Sequence, residues 1–279
     1  TKAWRRDRRE GFPPEGGATG QRQEFASYFH EEVLDQQNQV VRNFLVDTSI
    51  LDELTPAACA AVVGSEDARA TLDLVFEGGL FLSDIDRELS RYRYHTLFRE
   101  MVLGRLMRRA PERAAELHRR ASRYFAGQND LGRAIEHALQ CGDKAFLADQ
   151  LEALAEAMTY GGLLYRIDEL ASELPWELQV TRPALLLAMS WRRSRRLAFK
   201  SSERLIDAAE ATVAAQSESG VLDDYQRDHF RFHIRHRRIM LEAARDNMAF
   251  VERESELLLE DLGDDYPYLS CTLLAQLLS

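Results

Sequence analysis

The stretch Leu80–Leu106, LFLSDIDRELSRYRYHTLFREMVLGRL, decides the fold. Phe81, Leu82 and Ile85 make a short apolar strand, and Asp86 to Ser90 supply a polar turn. Tyr92 and Tyr94 then alternate with Arg91, Arg93 and His95, the period-two pattern of a half-buried strand. After Thr96 the period lengthens: Phe98, Val102 and Leu106, with Met101 beside them, mark one face of a helix. A two-stranded ribbon is not stable alone in water, so it must lean on neighbouring helices. A hairpin set between helices predicts a winged-helix module.

Toward the N-terminus the pattern is helical. Phe25, Phe29, Val33 and Leu34 share one helical face, and Val40, Val41, Phe44 and Leu45 the next. Thr55-Pro56 reads as a helix start, a hydroxyl cap followed by proline at a position whose missing N–H costs nothing; Gly64 ends that helix. Ser65-Glu66-Asp67 predicts a second start, for a helix carrying Leu72, Val75 and Phe76 and stopping at Gly78-Gly79. Residues 24–110 are therefore expected to form the winged-helix domain. Residues 1–23, with Pro13-Pro14 and Gly11, Gly16, Gly17 and Gly20, read as a linker.

From Pro111 onward no strand is evident. Leu117, Ala121, Tyr124 and Phe125 mark a helix closed by Gly127, and Leu131, Ala134, Ile135, Ala138 and Leu139 one closed by Gly142. Leu147, Leu151, Leu154 and Met158 mark a third, ended by Gly161-Gly162, and Leu163, Ile167, Leu170 and Leu174 a fourth. Gly127 and Gly161 are 34 residues apart, the period of a tetratricopeptide-type helix pair. Longer helices are expected near 183–197, 201–217, 223–246 and 247–260. Residues 111–279 read as a TPR-like helical-repeat domain. The fold class expected is mainly α, a winged helix with a small β-hairpin followed by an α-helical solenoid.

The chain has 279 residues, enough for two domains, and 45% hydrophobic content, well above the disordered range. A net charge of −10 argues against wrapping nucleic acid with the whole surface. No apolar run approaches the roughly 20 residues that span a bilayer, and the basic N-terminus (TKAWRRDRRE) has no apolar core for a secretory signal. Cys59, Cys141 and Cys271 show no metal or disulfide spacing, so a cytoplasmic location is expected. The chain opens on Thr1 rather than Met and ends at Leu277-Leu278-Ser279 within an apolar helical pattern, which suggests a segment of a longer protein.

The residues that carry chemistry are few. His95, at the ribbon-to-helix junction, is placed to donate to an anion beside a helix N-terminus; the alternative is a histidine that caps or packs. His229, His233 and His236 fall at i, i+4 and i+7 on one helical face. No carboxylate completes an HExxH pattern, and Arg231, Arg235, Arg237 and Arg238 surround the stripe, so no metal is expected and the histidines read as a solvated or partner-facing stripe. Two basic clusters, WRRSRR at 191–196 and the arginines of 227–238, read as the solvated side of repeat helices or as ionic contacts between helix pairs, with Phe230, Ile234 and Leu241 as the core stripe. GxxxxGK[ST], GxSxG, CxxC and HExxH are all absent, and no enzyme active site is expected.

Several segments together resemble one family: YFHEEVL (28–34), FLVDTSILDEL (44–54), GLFL (79–82), YRYHTLFR (92–99), LHRRA (117–121) and AIEHAL (134–139). Their order and spacing are similar to those of the large ATP-dependent LuxR-type (MalT-like) transcription regulators, signal-transduction ATPases with numerous domains, over residues 24–175. The resemblance implies an order of ATPase, winged helix, helical-repeat sensor and LuxR-type DNA-binding domain. Residues 1–23 would then be the tail of an ATPase domain. ATP or ADP is implied for the full-length protein and no cofactor for this segment alone. His95 matches the junction histidine that, in related switch ATPases, contacts the β-phosphate of ADP and holds the resting state. The partners implied are the upstream ATPase domain, a downstream DNA-binding domain through which alone DNA is met, and an inducer on the repeats, with no membrane. The alternatives are a helical-repeat protein-interaction scaffold without a nucleotide switch, and direct DNA binding by the wing.

Overall fold

The computed structural model describes residue 34, residues 36–79, 81–86 and 88–278, apart from the side chain of Asp264. The expected linker and most of the helical face at Phe25, Phe29 and Val33 lie outside the described residues. Two compact units divide between Ala121 and Ser122.

The first unit contains α1 (Gln39–Thr48), α2 (Pro56–Val63), α3 (Ala68–Glu77), β1 (Leu82–Asp86), β2 (Arg91–Tyr94) and α4 (Thr96–Arg109). It also contains most of α5 (Pro111–Gly127). Local chemistry sets most boundaries. Asn38 caps α1 by accepting the Val41 N–H, and Thr55 caps α2 by accepting that of Ala58. Gly64 closes α2 in the left-handed region, φ 74°, where a side chain would be strained. The start of α3 differs from expectation. Asp67 is its N-cap residue but with helical backbone (φ −75°, ψ −1°) and no side-chain cap, and the Ser65 hydroxyl accepts the Asp67 N–H at 3.2 Å in a preceding turn.

The strands pair antiparallel, Leu82 with Tyr94, Ser83 with Arg93 and Asp84 with Tyr92, and then slip by one residue so that Asp86 meets Arg91. Leu82 and Asp84 stand opposite the buried Tyr94 and Tyr92, so Ile85, one residue on, falls on the outward face and is exposed rather than adding to the apolar strand. On the far side of β2, Tyr92 exchanges both backbone hydrogen bonds with Leu54, 2.8 and 3.0 Å, which anchors the ribbon to the segment before α2. Leu45, Leu54, Cys59, Val62, Leu72, Val75 and Val102 are fully buried and build the core beneath it. Burial pushes the Cys59 thiol up to about 12, so it packs as an inert small hydrophobe. Val40, read as a core residue, is exposed; Val41, Phe44 and Leu45 fill the inward face of α1.

The second unit holds helical repeats. Their helices are α6 (Leu131–Gln140), α7 (Lys144–Tyr160), α8 (Leu164–Ser172), the single turn α9 (Trp176–Gln179), α10 (Pro183–Arg195), α11 (Phe199–Glu218), α12 (Asp224–Ala244), α13 (Met248–Leu262) and α14 (Pro267–Leu277). Asp130 and Asp143 cap α6 and α7, and Asp223 with Gln226 forms a full capping box on α12. Small hydroxyls seat the helices close together. Ser202 donates to the Ser190 carbonyl at 2.9 Å across α10 and α11, and Ser122 to that of Ala134 at 2.8 Å. The N-terminus of α10 is capped from outside: the Glu152 carboxylate of α7 accepts the Ala184 and Leu185 N–H groups at 3.0 and 2.6 Å. Three of the WRRSRR and 227–238 arginines form ionic ties between helices: Arg193 to Asp168, Arg235 to Asp261, and Arg238 to Asp207 and Glu210. No described helix is long and apolar enough to cross a membrane.

Candidate functional site: the ribbon-to-helix junction

His95 is the residue on which β2 becomes α4. Its backbone is extended (φ −57°, ψ 132°) while its carbonyl already accepts the Arg99 N–H at 3.0 Å, which makes it the N-cap residue of α4. Its own N–H donates to the Phe81 carbonyl at 2.8 Å, tying it to the start of the hairpin. The imidazole is exposed, with Nδ1 3.3 Å from the Ser83 hydroxyl, and it makes no cap bond to the first turn of α4. Arg93 stands on the same outward face of β2, one pleat earlier, and is also exposed. A histidine, an arginine and an uncapped helix start thus share one edge of the ribbon, a donor set suited to an anion.

Beneath this edge the junction is firmly built. Tyr94 is fully buried, and its hydroxyl lies 2.6 Å from that of Thr48, which in turn donates to the Phe44 carbonyl at 2.7 Å. Phe81 stacks on Phe98 at 4.1 Å between ring centres. Arg99, one turn into α4, gathers the turn between α1 and α2. Its Nε donates to the carbonyls of Ser49 and Leu51 at 3.0 and 3.1 Å, and its Nη2 reaches that of Ile50 at 3.4 Å and the Asp52 carboxylate at 2.6 Å. Arg91 forks onto Glu53. His118 of α5 is buried, and burial together with the Arg99 charge pulls its imidazole down to about 4, so it is neutral at pH 7.

A family model described as the MalT winged helix domain matches residues 30–114. Those residues are a MalT-type winged-helix domain. The chain is 28% identical over 200 residues to the HTH-type transcriptional regulator MalT of Klebsiella pneumoniae, covering 72% of this chain and 22% of that protein. It is 31% identical over 175 residues to the serine/threonine-protein kinase PknK of Mycobacterium tuberculosis, covering 63% of this chain and 16% of the kinase. The chain thus spans about a fifth of the length of the curated relatives it matches.

Beyond the MalT-type domain, the histidines of α12 depart from expectation. They are not a solvated stripe: His233 and His236 are buried and His229 is half-buried. His236 stacks on Trp191 at 5.0 Å and its Nε2 lies 2.6 Å from the Thr272 hydroxyl. Arg237 is buried too, flat over Trp191 at 3.9 Å, and donates to the Leu187 carbonyl and to His236 Nδ1. Burial, then the Arg237 charge, holds His233 and His236 well below the ordinary imidazole range. A carboxylate that sequence spacing did not reveal completes the group: Glu156 of α7 lies 3.4 Å from His229 Nε2 and 3.7 Å from His233 Nε2. Its hydrogen bond with His229 holds it ionised, at about 2.

Proposed function

We propose that the chain is the regulatory segment of a MalT-like, ATP-dependent, inducer-responsive transcription activator, in which the winged helix couples nucleotide state to signal sensing by the helical repeats. The observation that carries this reading is His95. Its exposed ring stands beside an uncapped helix start, on a junction locked by Tyr94, Arg99 and the Phe81–Phe98 stack. A rigid base with a solvent-facing donor suits a phosphate sensor that reports the state of a neighbouring ATPase domain. In this scheme ADP, held partly by His95, favours the resting arrangement. Inducer binding with ATP in its place favours the active one, which requires the inducer to bind the two states with different affinity. DNA is contacted through a separate LuxR-type domain, and the protein works in the cytoplasm without a membrane.

The test is H95A in the intact regulator. Raised inducer-independent transcription and reduced ADP retention are expected; unchanged basal transcription with unchanged ADP content overturns the assignment. The likeness to a serine/threonine-protein kinase favours a second reading, a helical-repeat interaction module joined to different outputs. The coding sequence on either side distinguishes the two. A phosphate loop upstream and a helix-turn-helix downstream support the regulator, and their absence supports the scaffold.

A further inference from the structure

The group around Glu156 is unlike the other polar clusters of the repeat domain. Arg235 and Arg238 of α12 are matched to acidic partners on neighbouring helices and Arg227 and Arg231 to acids of α12 itself, whereas His233 Nε2 is buried and finds no hydrogen-bond partner among the described residues. At 3.7 Å from Glu156 it is beyond hydrogen-bond reach, and the side chain of His233 is only 7% exposed. A buried ring nitrogen facing a carboxylate without bonding to it is costly to leave so. Something is needed between them.

We propose that Glu156, His229 and His233 hold a divalent transition-metal cation of the zinc class, joining α7 to α12, with its fourth position open to water. His229 and His233 stand one helical turn apart on the same face, which presents two imidazoles to one point. Their ligand atoms and that of Glu156 all lie within 4.8 Å of one another. Zinc–nitrogen bonds of about 2.05 Å set the edges of a tetrahedron at about 3.4 Å. The Glu156 separations of 3.4 and 3.7 Å are already near that edge. The remaining adjustment falls on Glu156 and His229, which at 43% and 26% side-chain exposure have room to move. Beside them is a cavity of about 20 Å³, bordered by Glu156, His229, His233 and Arg237 and large enough for about one water. Two histidines and a carboxylate are also the ligand set of open zinc sites that keep a water.

The charge against the site reduces to one residue. Arg231, Arg235 and Arg238 are drawn to Asp228, Asp261, and Asp207 with Glu210. Only Arg237 borders the cavity, and it donates to Leu187 and His236 while lying on Trp191. Its charge cancels that of Glu156, which leaves the electrostatics of a three-histidine set, a combination that binds zinc well.

The test is calorimetric titration of the metal-stripped chain with zinc alone, supported by the visible spectrum of the cobalt form. One equivalent bound with a dissociation constant of about 1 μM or tighter is expected, with a four-coordinate cobalt spectrum lacking thiolate charge transfer. E156Q and H229A, at partly exposed positions that tolerate change, each weaken binding by at least about 100-fold. C271S, which removes the exposed thiol, leaves it unchanged, and R237M tightens it. No stoichiometric binding, or binding that survives E156Q and H229A or disappears with C271S, overturns the proposal.

Discussion

Replacing Arg99 by alanine removes the one side chain that gathers three consecutive carbonyls, those of Ser49, Ile50 and Leu51. All three residues are buried, so water cannot readily take the place of the guanidinium. A hydrogen bond from a charged donor contributes about 1.5–3 kcal/mol. The Nε bond is shared between two carbonyls and counts once, and the Ile50 contact is long at 3.4 Å, while Asp52 is too exposed for its pair to add more than about 0.5 kcal/mol. The expected loss is about 3 kcal/mol, or about 15 °C in the melting of a unit this size. R99K restores one bond and about half the loss. Urea unfolding followed by circular dichroism measures the change, with hydrogen exchange over residues 49–54 reporting local opening and exchange over α10 and α11 serving as the internal control. A loss under about 1 kcal/mol for R99A, or equal losses for R99A and R99K, refutes the clamp.

Y94F deletes a buried hydroxyl whose partner, Thr48, keeps its bond to Phe44, so a loss of about 1 kcal/mol is expected in the same urea assay; no loss shows that the pair contributes nothing. His118 is held neutral in the fold at about 4, against the ordinary 6.5 of the unfolded chain. Between those values the unfolded state binds the extra proton, so stability is fully present above about pH 6.5 and falls as pH drops toward 4. The span is worth at most about 3 kcal/mol, reduced to about 2 kcal/mol by solvent screening. H118Q flattens that limb of the stability profile, and an unchanged limb refutes the assignment.

Local chemistry made much of the winged helix legible in sequence. Thr55-Pro56 and Gly64 act within a few residues of chain, and the change from period two to helical period at His95 places the junction to the residue. What escaped depends on partners distant in sequence. Ile85 faces outward because the ribbon, held against Leu54 some thirty residues earlier, pairs Leu82 and Asp84 rather than Ile85 with the buried tyrosines. The arginines of α12 look alike along the chain, yet Arg237 is buried because Trp191 of α10 offers it a ring face. Glu156 lies 73 residues before His229, and only the packing of both α7 and α12 against α10 brings the two together. No local spacing rule reaches that far.

The bulge at Ile85 has a consequence for assembly. Tyr92 is paired on both flanks, by β1 and by Leu54, so β2 offers no open side. The outer rim of β1 is five residues long, interrupted at its fourth, and carries Asp84 and Asp86. Short, kinked and acidic, that rim is a poor template for a further strand, and two copies set rim to rim would place carboxylates against carboxylates. The ribbon therefore guards itself against runaway cross-β stacking.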